Sequence, residues 1–531
     1  MTRKARDAEE TGDLRERAKK EAAALVLQGK FSLEQVKKKT GAKYGLARVL
    51  KNSEILEKIG REARSEKVMQ ILRLRKVRTL SGVAPIAVMT MSGCPHGRCT
   101  YCPRGGEAAQ SYTGFEPASL RARQNAFDGY AQVKARLGSL RQIGHDVDKC
   151  ELIVMGGTFN SMPRAYQMRF MKGCIEAMNG RRSASLAAAL RANEKAPVRA
   201  VGITFETRPD WAQEKDVDWL LAMGATRVEM GVQTLSDEIY KRVKRGHTVS
   251  DVIDATRVLK DSALKVCYHM MPGLYADKEK DVRMFKRLFE DPDFRPDMLK
   301  IYPCLVLEGT ELYDEWKRGE FEPYDSAKAA EVIAEASKYI PPYVRVMRMQ
   351  RDIPAQLIAA GVKHGNLRQL VDACMKERGI KCRCIRCREM GLKGMKMEEA
   401  ELKLERLEYA ASGGKEVFLS FEDKKKDVLA GFLRLRLPGR PHRKELQGAA
   451  LVRELHVYGR AVPIGGAGGG RASLQHHGLG ARLLAEAERI AGQEWHMKKL
   501  AVISGVGARD YYRRAGYALQ GQYMVKKVAG S

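Results

Sequence analysis

Three cysteines stand within nine residues in Cys94-Pro-His-Gly-Arg-Cys99-Thr-Tyr-Cys102, directly after the apolar run PIAVMTMSG. Three thiolates on one loop can ligate three irons of a [4Fe-4S] cluster and leave the fourth iron open to an external ligand. A structural zinc site with His96 as the fourth ligand is the alternative, although structural zinc loops normally arrive as two cysteine pairs. Downstream, Met155-Gly156-Gly157-Thr158 closes a strand-like run, and a glycine pair there lets backbone approach a ligand at the carboxyl edge of a parallel sheet. A second cysteine group, Cys382-Arg-Cys384-Ile-Arg-Cys387 with Cys374 upstream, lies in the segment 361–396, which holds ten Lys/Arg against three Asp/Glu. Four thiolates suit tetrahedral zinc, and a zinc-pinned basic knuckle suits an RNA backbone; unligated cysteines in a reducing compartment are the alternative.

Near the C-terminus, Gln475-His-His-Gly478-Leu479-Gly480-Ala481 opens the helix-like ARLLAEAERIA. Glycines at a helix start expose amide N–H groups suited to a pyrophosphate such as that of coenzyme A, with a ligand-free glycine N-cap as the alternative. His145, His247, His269 and His364 read as structural or surface histidines, and Cys150, Cys174, Cys267 and Cys304 as core. The GGAGGG run at 465–470 reads as a flexible loop.

These residues need elements to position them, and the chain has 531 residues, enough for three or four domains. Charged residues make up 30% and hydrophobic ones 44%, which excludes wholesale disorder. No apolar run is long enough to span a bilayer and no secretory leader is visible, so a cytoplasmic location is expected. The formal net charge of +30 favours a polyanionic partner, and residues 1–80 hold 22 Lys/Arg against 11 Asp/Glu. Apolar residues at helical spacing predict a basic helical region over 1–80. From 81 to 340, short apolar runs at 84, 151, 199, 227, 264 and 299 alternate with helix-like stretches, predicting parallel βα units. A basic, cysteine-bearing linker over 341–412 ends in KMEEAELKLERLEYA, which reads as a charged helix. Residues 413–531 read as a separate α+β domain with antiparallel strands and one long helix at about 478–492.

Taken together, CPHGRCTYCPRG, SYTGFEP, VMGGTFNSMP, FETRPD, EMGVQT, HMMPGL, KIYPCLVLEGTEL, CRCIRCRE, RELHVYG, QHHGLG and AVISGVGARDYYRRAGY resemble, in order, the catalytic subunit of Elongator in its archaeal or bacterial single-protein form. The resemblance implies an α/β fold, a radical S-adenosylmethionine (SAM) partial (β/α) barrel fused to a Gcn5-related acetyltransferase domain that acts on the wobble uridine of tRNA. The C-x4-C-x2-C spacing is one residue longer than the commonest radical-SAM loop. The implied chemistry is reductive cleavage of SAM at the cluster on Cys94, Cys99 and Cys102, hydrogen abstraction from the methyl group of acetyl-CoA, addition of that carbon to uridine C5 and thioester hydrolysis to 5-carboxymethyluridine. Gly156, Gly157 and Thr158 would bind the methionine end of SAM. Lys149 would contact acetyl-CoA from the barrel side. Glu454, Leu455, His456 and Val457 would lie on the strand that pairs with pantetheine, and Gln475 and Gly478 to Ala481 would hold the pyrophosphate. Tyr512 would sit at the thioester, with Tyr511 and Tyr512 as the hydroxyls positioning water or thioester. Expected partners are tRNA, acetyl-CoA and an electron donor, with no membrane; a homodimer stays open. Two rivals of other classes are a protein lysine acetyltransferase and a noncatalytic RNA-binding scaffold.

Overall fold

The computed structural model of the protein describes residues 3–74, 82–103, 105–395, 397–458 and 478–528. Seven strands form one parallel sheet, in the order β1 (Ala84–Met89), β2 (Lys149–Met155), β3 (Arg199–Thr207), β4 (Arg227–Gln233), β5 (Lys265–Met270), β6 (Met298–Ile301) and β8 (Arg345–Arg348). Neighbours in this order are consecutive in the chain apart from a two-residue strand, β7 (Val306–Leu307), which pairs with β9 (Ile358–Ala360) in a small antiparallel sheet. Helices in the crossovers cover the outside, as parallel pairing requires. The apolar runs singled out in the sequence are these strands, and Val88, Leu152, Ile203, Val228, Val266 and Leu299 are buried in one core. Cys150, Cys174, Cys267 and Cys304 are buried as expected.

The basic helices Arg3–Gln28, Leu33–Lys43, Asn52–Glu57 and Glu66–Leu72 pack around a small core of their own, with Ala22, Val36, Ile55 and Leu56 inside. They dock on the barrel where Arg73 Nε donates to the Gly144 carbonyl at 2.8 Å.

The second sheet runs β10 (Lys403–Ala411), β11 (Gly414–Asp423), β12 (Val428–Leu437), β13 (Ala449–Val457), β14 (Lys499–Ile503), β16 (Tyr523–Lys527) and β15 (Ala518–Gln520). All its pairs are antiparallel except β13 with β14. The sheet therefore begins one strand earlier than the sequence suggests. The charged segment read as a helix is β10 instead, pairing from Lys403↔Glu422 to Ala411↔Gly414. Its Glu, Lys and Leu residues favour helix, but an edge strand with one solvated face accepts them, and pairing overrides the local preference. The expected long helix is present as Leu479–Arg489, continued by a π-helical turn to Glu494.

The two sheets share a core: Phe418, Leu429, Phe432 and Leu451 of the second belong to the same cluster as the barrel strands. Among the described residues, no helix is long and apolar enough to cross a membrane.

Candidate active site

The cysteine loop follows β1. Cys99 and Cys102 are buried and Cys94 is half-buried. Gln110 braces the loop, accepting from the Cys94 N–H at 2.8 Å and donating to the Gly97 carbonyl at 2.6 Å. The end of β2 packs directly against it. Gly156 has φ +111°, and a Cβ on Gly157 would lie 2.5 Å from the Gly93 carbonyl oxygen, so only glycine permits this approach. Thr158 then donates its N–H to Gly93 O at 2.9 Å and its hydroxyl to Cys94 Sγ at 3.5 Å. The glycine pair thus holds the cysteine loop, a role additional to the ligand contact read from sequence.

Arg245 Nη1 donates to Cys99 Sγ at 3.6 Å, and His96 Nε2 lies 3.3 Å from the same sulfur. Burial pushes the Cys102 thiol up to about 12 and raises Cys94 as well. Thiols in such surroundings ionise against a strong positive charge such as iron. Among the described residues, the triads whose ligand atoms lie within 4.8 Å of one another are Cys382, Cys384, Cys387 and Glu229, Cys267, His269. Cys94, Cys99 and Cys102 form no such triad with one another or with His96, whereas Zn–S bonds of about 2.3 Å bring sulfurs to roughly 3.8 Å. Three thiols on one loop, each to a different iron, fit a [4Fe-4S] cluster with one iron left open. Burial, followed by the guanidiniums of Arg208 and Arg245, holds His96 down at about 4, so its ring is neutral near pH 7.

The thiols border a cavity of about 650 Å³ inside the barrel. Its floor is charged, which sequence reasoning missed. Tyr112 Oη donates to Glu206 at 2.9 Å, Lys300 reaches both Glu206 and Glu229, His269 Nε2 stands 2.9 Å from Glu229 Oε2, and Arg227 Nη1 meets Glu151 at 2.7 Å. Burial alone would raise the Glu229 carboxyl, but Lys300, Arg227 and His269 outweigh it and hold it well below the usual range. His269, read as structural or surface, lines this cavity. The period-two spacing of Cys267 and His269 on β5, beside Glu229 on β4, was the available signal. Arg121, Arg136, Arg348, Arg351 and Arg386 also line this cavity.

A second cavity, of about 1050 Å³, lies between the barrel and the second sheet. Lys149, Glu454, Leu455, His456, Val457, Tyr511 and Tyr512 all line it, so these expected residues meet in one place. The parallel ladder between β13 and β14 ends at Val452↔Val502, which leaves the Glu454–Val457 edge of β13 without a ladder partner on that side among the described residues. Such an edge offers backbone donors and acceptors to an amide-bearing ligand. Helix Leu479–Arg489 starts beside it: a Cβ on Gly480 would stand 3.0 Å from Tyr511 Oη and 3.7 Å from a Val457 methyl. Ala481 follows in the first turn, while Leu479 turns into the core. Tyr512 is 7% exposed and Tyr511 37%, their rings edge to face at 5.2 Å, and burial raises the Tyr512 phenol. Gln475 and the 465–470 loop lie outside the described residues.

Cys382, Cys384 and Cys387 converge, with Cys384 and Cys387 sulfurs 3.6 Å apart. Hydrogen bonds from its two neighbours lower the Cys384 thiol, so it ionises first. Cys374, on helix Leu367–Glu377, packs against the barrel core and is not one of the converging three.

Comparison with known proteins agrees with this geometry. The radical SAM superfamily pattern matches residues 88–289 and the radical SAM C-terminal domain pattern residues 296–377. The chain is 52% identical over 487 residues to a protein of Methanocaldococcus jannaschii named tRNA uridine(34) acetyltransferase, covering 90% of each. It is 43% identical over 518 residues to human Elongator complex protein 3, covering 94% of each. The solved structure of Methanocaldococcus infernus Elp3 with an N-terminal deletion (1–46) superposes with a TM-score of 0.75 at 48% identity, covering 84% of this chain and 99% of that one.

Proposed function

The chain belongs to the family of tRNA uridine(34) acetyltransferases and Elongator complex protein 3, and from that premise we propose that it is a radical SAM enzyme that modifies the wobble uridine of tRNA with the acetyl carbons of acetyl-CoA, leaving 5-carboxymethyluridine. The observation that carries this reading is that the thiol-bordered cavity and the tyrosine-bordered cavity adjoin, sharing Pro85, Glu151, Arg345 and Met347. A lysine acetyltransferase working through its C-terminal domain alone would need no such adjacency, and a scaffold would need neither cavity.

Cys94, Cys99 and Cys102 would hold a [4Fe-4S] cluster, and Gly156 to Thr158 the methionine end of SAM. When bound, the pair supplies one-electron bond cleavage that yields a carbon radical able to take hydrogen from an acetyl methyl, given an external electron donor. Arg245 and the neutral His96 screen the Cys99 sulfur, and Gln110 keeps the loop in register. In the other cavity the β13 edge would pair with pantetheine, the amides of Gly478 to Ala481 would take the pyrophosphate, and Lys149 would meet a phosphate. Tyr511 and Tyr512 would position the thioester and a water for hydrolysis. The arginines around the thiol-bordered cavity would receive tRNA phosphates together with the N-terminal helices and the cysteine knuckle. Zinc would sit on Cys382, Cys384 and Cys387, with Cys374 the fourth thiol that the sequence offers. A cytoplasmic setting follows from a tRNA substrate.

The test is a pair of assays on anaerobically prepared enzyme. SAM cleavage should require reductant, and Tyr512→Phe should slow tRNA-stimulated acetyl-CoA hydrolysis at least about tenfold, a loss of roughly 1.4 kcal/mol of transition-state stabilisation. Undiminished hydrolysis in Tyr512→Phe would remove Tyr512 from this role.

A further inference from the structure

The two cavities meet the barrel at opposite ends. The tyrosine-bordered cavity takes its barrel lining from residues at strand starts: Pro85 of β1, Lys149 of β2, Arg199 of β3, Arg227 of β4, Lys265 of β5 and Arg345 of β8. The thiol-bordered cavity reaches the strand ends, at Met155, Thr207, Gln233 and Arg348, where the cysteine loop also lies. In parallel α/β sheets ligands collect at the carboxyl ends, and the amino ends are ordinarily stability elements. Here the amino end opens onto a cavity walled by a second domain.

Building on the function proposed above, we infer that the barrel is entered from both ends: the tRNA base through the carboxyl mouth among the arginines, and the acyl arm of coenzyme A through the amino mouth, with its nucleotide left on the C-terminal domain. Three observations support the passage. Pro85, Glu151, Arg345 and Met347 line both cavities and so mark the constriction between them. The charged groups there are tied aside, since Glu151 is paired with Arg227 at 2.7 Å and Arg345 is held by Tyr458 Oη and Glu389, each at 2.8 Å. What remains facing the gap includes Pro85 and Met347, an unbranched, adaptable side chain. Arg227, which lines the outer cavity beside this gap, keeps a buried Nε without a hydrogen-bond acceptor among the described residues. The distance is right as well. From Lys149 to Met155 the barrel is six strand steps deep, about 20 Å at roughly 3.3 Å per residue, which an extended pantetheine arm can enter far enough to bring its acetyl group toward the thiols. The route keeps the thioester out of bulk water while its methyl group is exposed to the radical.

The experiment uses bromoacetyl-CoA on the full-length chain carrying Met347→Cys, with Val457→Cys as the reference in the outer cavity. The introduced thiol gives up its proton to solvent, and the resulting thiolate displaces bromide, forming a thioether, releasing bromide and leaving the CoA thioester intact. Peptide mass mapping should locate the adduct on the position 347 thiol, at least about tenfold faster than with bromoacetamide, which lacks the CoA handle, and suppressed by excess CoA. Alkylation at position 457 without alkylation at position 347 would overturn the passage. Met347→Trp supplies the second arm: transfer of labelled acetyl carbon into uridine should fall at least about tenfold in this variant relative to the unsubstituted chain. If the unsubstituted chain transfers label and Met347→Trp transfers it equally, the passage is wrong and the function stands. If the unsubstituted chain transfers none, the function itself is wrong, and the alkylation result still decides the passage.

Discussion

Arg453 of β13 donates from Nη1 and Nη2 to the two carboxylate oxygens of Asp297, which precedes β6, at 2.8 and 2.5 Å, with neither side chain exposed. Asp297 also meets Arg434 and Lys260, and Glu416 and Asp261 hold Arg436 beside them. The barrel and the second sheet are thus joined by buried charge that is nearly all paired.

Such an interface is costly to break from one side. Burial alone would raise the Asp297 carboxyl, but Arg453, Lys260 and Arg434 hold it far below its usual range. Asp297→Asn leaves three cations short of an acceptor charge and should destabilise the protein by about 3–5 kcal/mol in denaturant unfolding. A loss below about 1 kcal/mol would mean that the domains are held by apolar packing alone.

Asp281 gives a pH signature of the opposite sign. It accepts from the Gly273 N–H at 2.7 Å and the Tyr324 hydroxyl at 2.8 Å, and burial raises it to about 7. The folded chain therefore keeps a proton that the unfolded chain releases near pH 4, so this group's contribution to stability falls as pH rises from about 4 to 7 and is constant above. Asp281→Asn should remove that slope, gaining roughly 2–4 kcal/mol on the parent across the interval. Parallel stability curves for the two proteins would refute it.

Much of the site could be read from the sequence because its chemistry sits in short, ordered motifs. The cysteine loop and the glycine pair, read from their spacing, lie against one another, and the β13 and helix-start residues implied by the family resemblance lie beside one another. The barrel floor was harder to read. Glu229, His269 and Lys300 come from three strands, and the alternation in KVCYHM puts Cys267 and His269 on one face without saying that this face is the inner one. β10 was misread because Glu, Lys and Leu carry helix preference whichever partner awaits them. Cys374 is not among the three sulfurs that converge, and its place eight residues before Cys382 did not say whether it would be.

The three-thiol loop yields a metal prediction. Reconstituted protein should hold one [4Fe-4S] cluster, seen as four irons and a reduced-state paramagnetic signal, and Cys94→Ala should lose it. Full iron content in Cys94→Ala, with SAM cleavage intact, would make the assignment wrong.

The N-terminal helices form their own small core, and the solved relative lacking its first 46 residues superposes on this chain with a TM-score of 0.75. Removing residues 1–80 should therefore leave a folded enzyme with weaker tRNA binding and a shallower dependence on salt, because fewer phosphates are neutralised. Equal affinity at several salt concentrations would show that tRNA docks elsewhere.

The central claim, that one chain moves acetyl carbon onto the wobble uridine by radical chemistry, is tested most directly by mass spectrometry of tRNA nucleosides after anaerobic reaction with SAM, reductant and acetyl-CoA labelled in both acetyl carbons. The predicted result is a carboxymethyl-bearing uridine that carries both labelled carbons and disappears when SAM or reductant is withheld. Label found on protein lysines, or in uridine whether or not SAM is present, would contradict it.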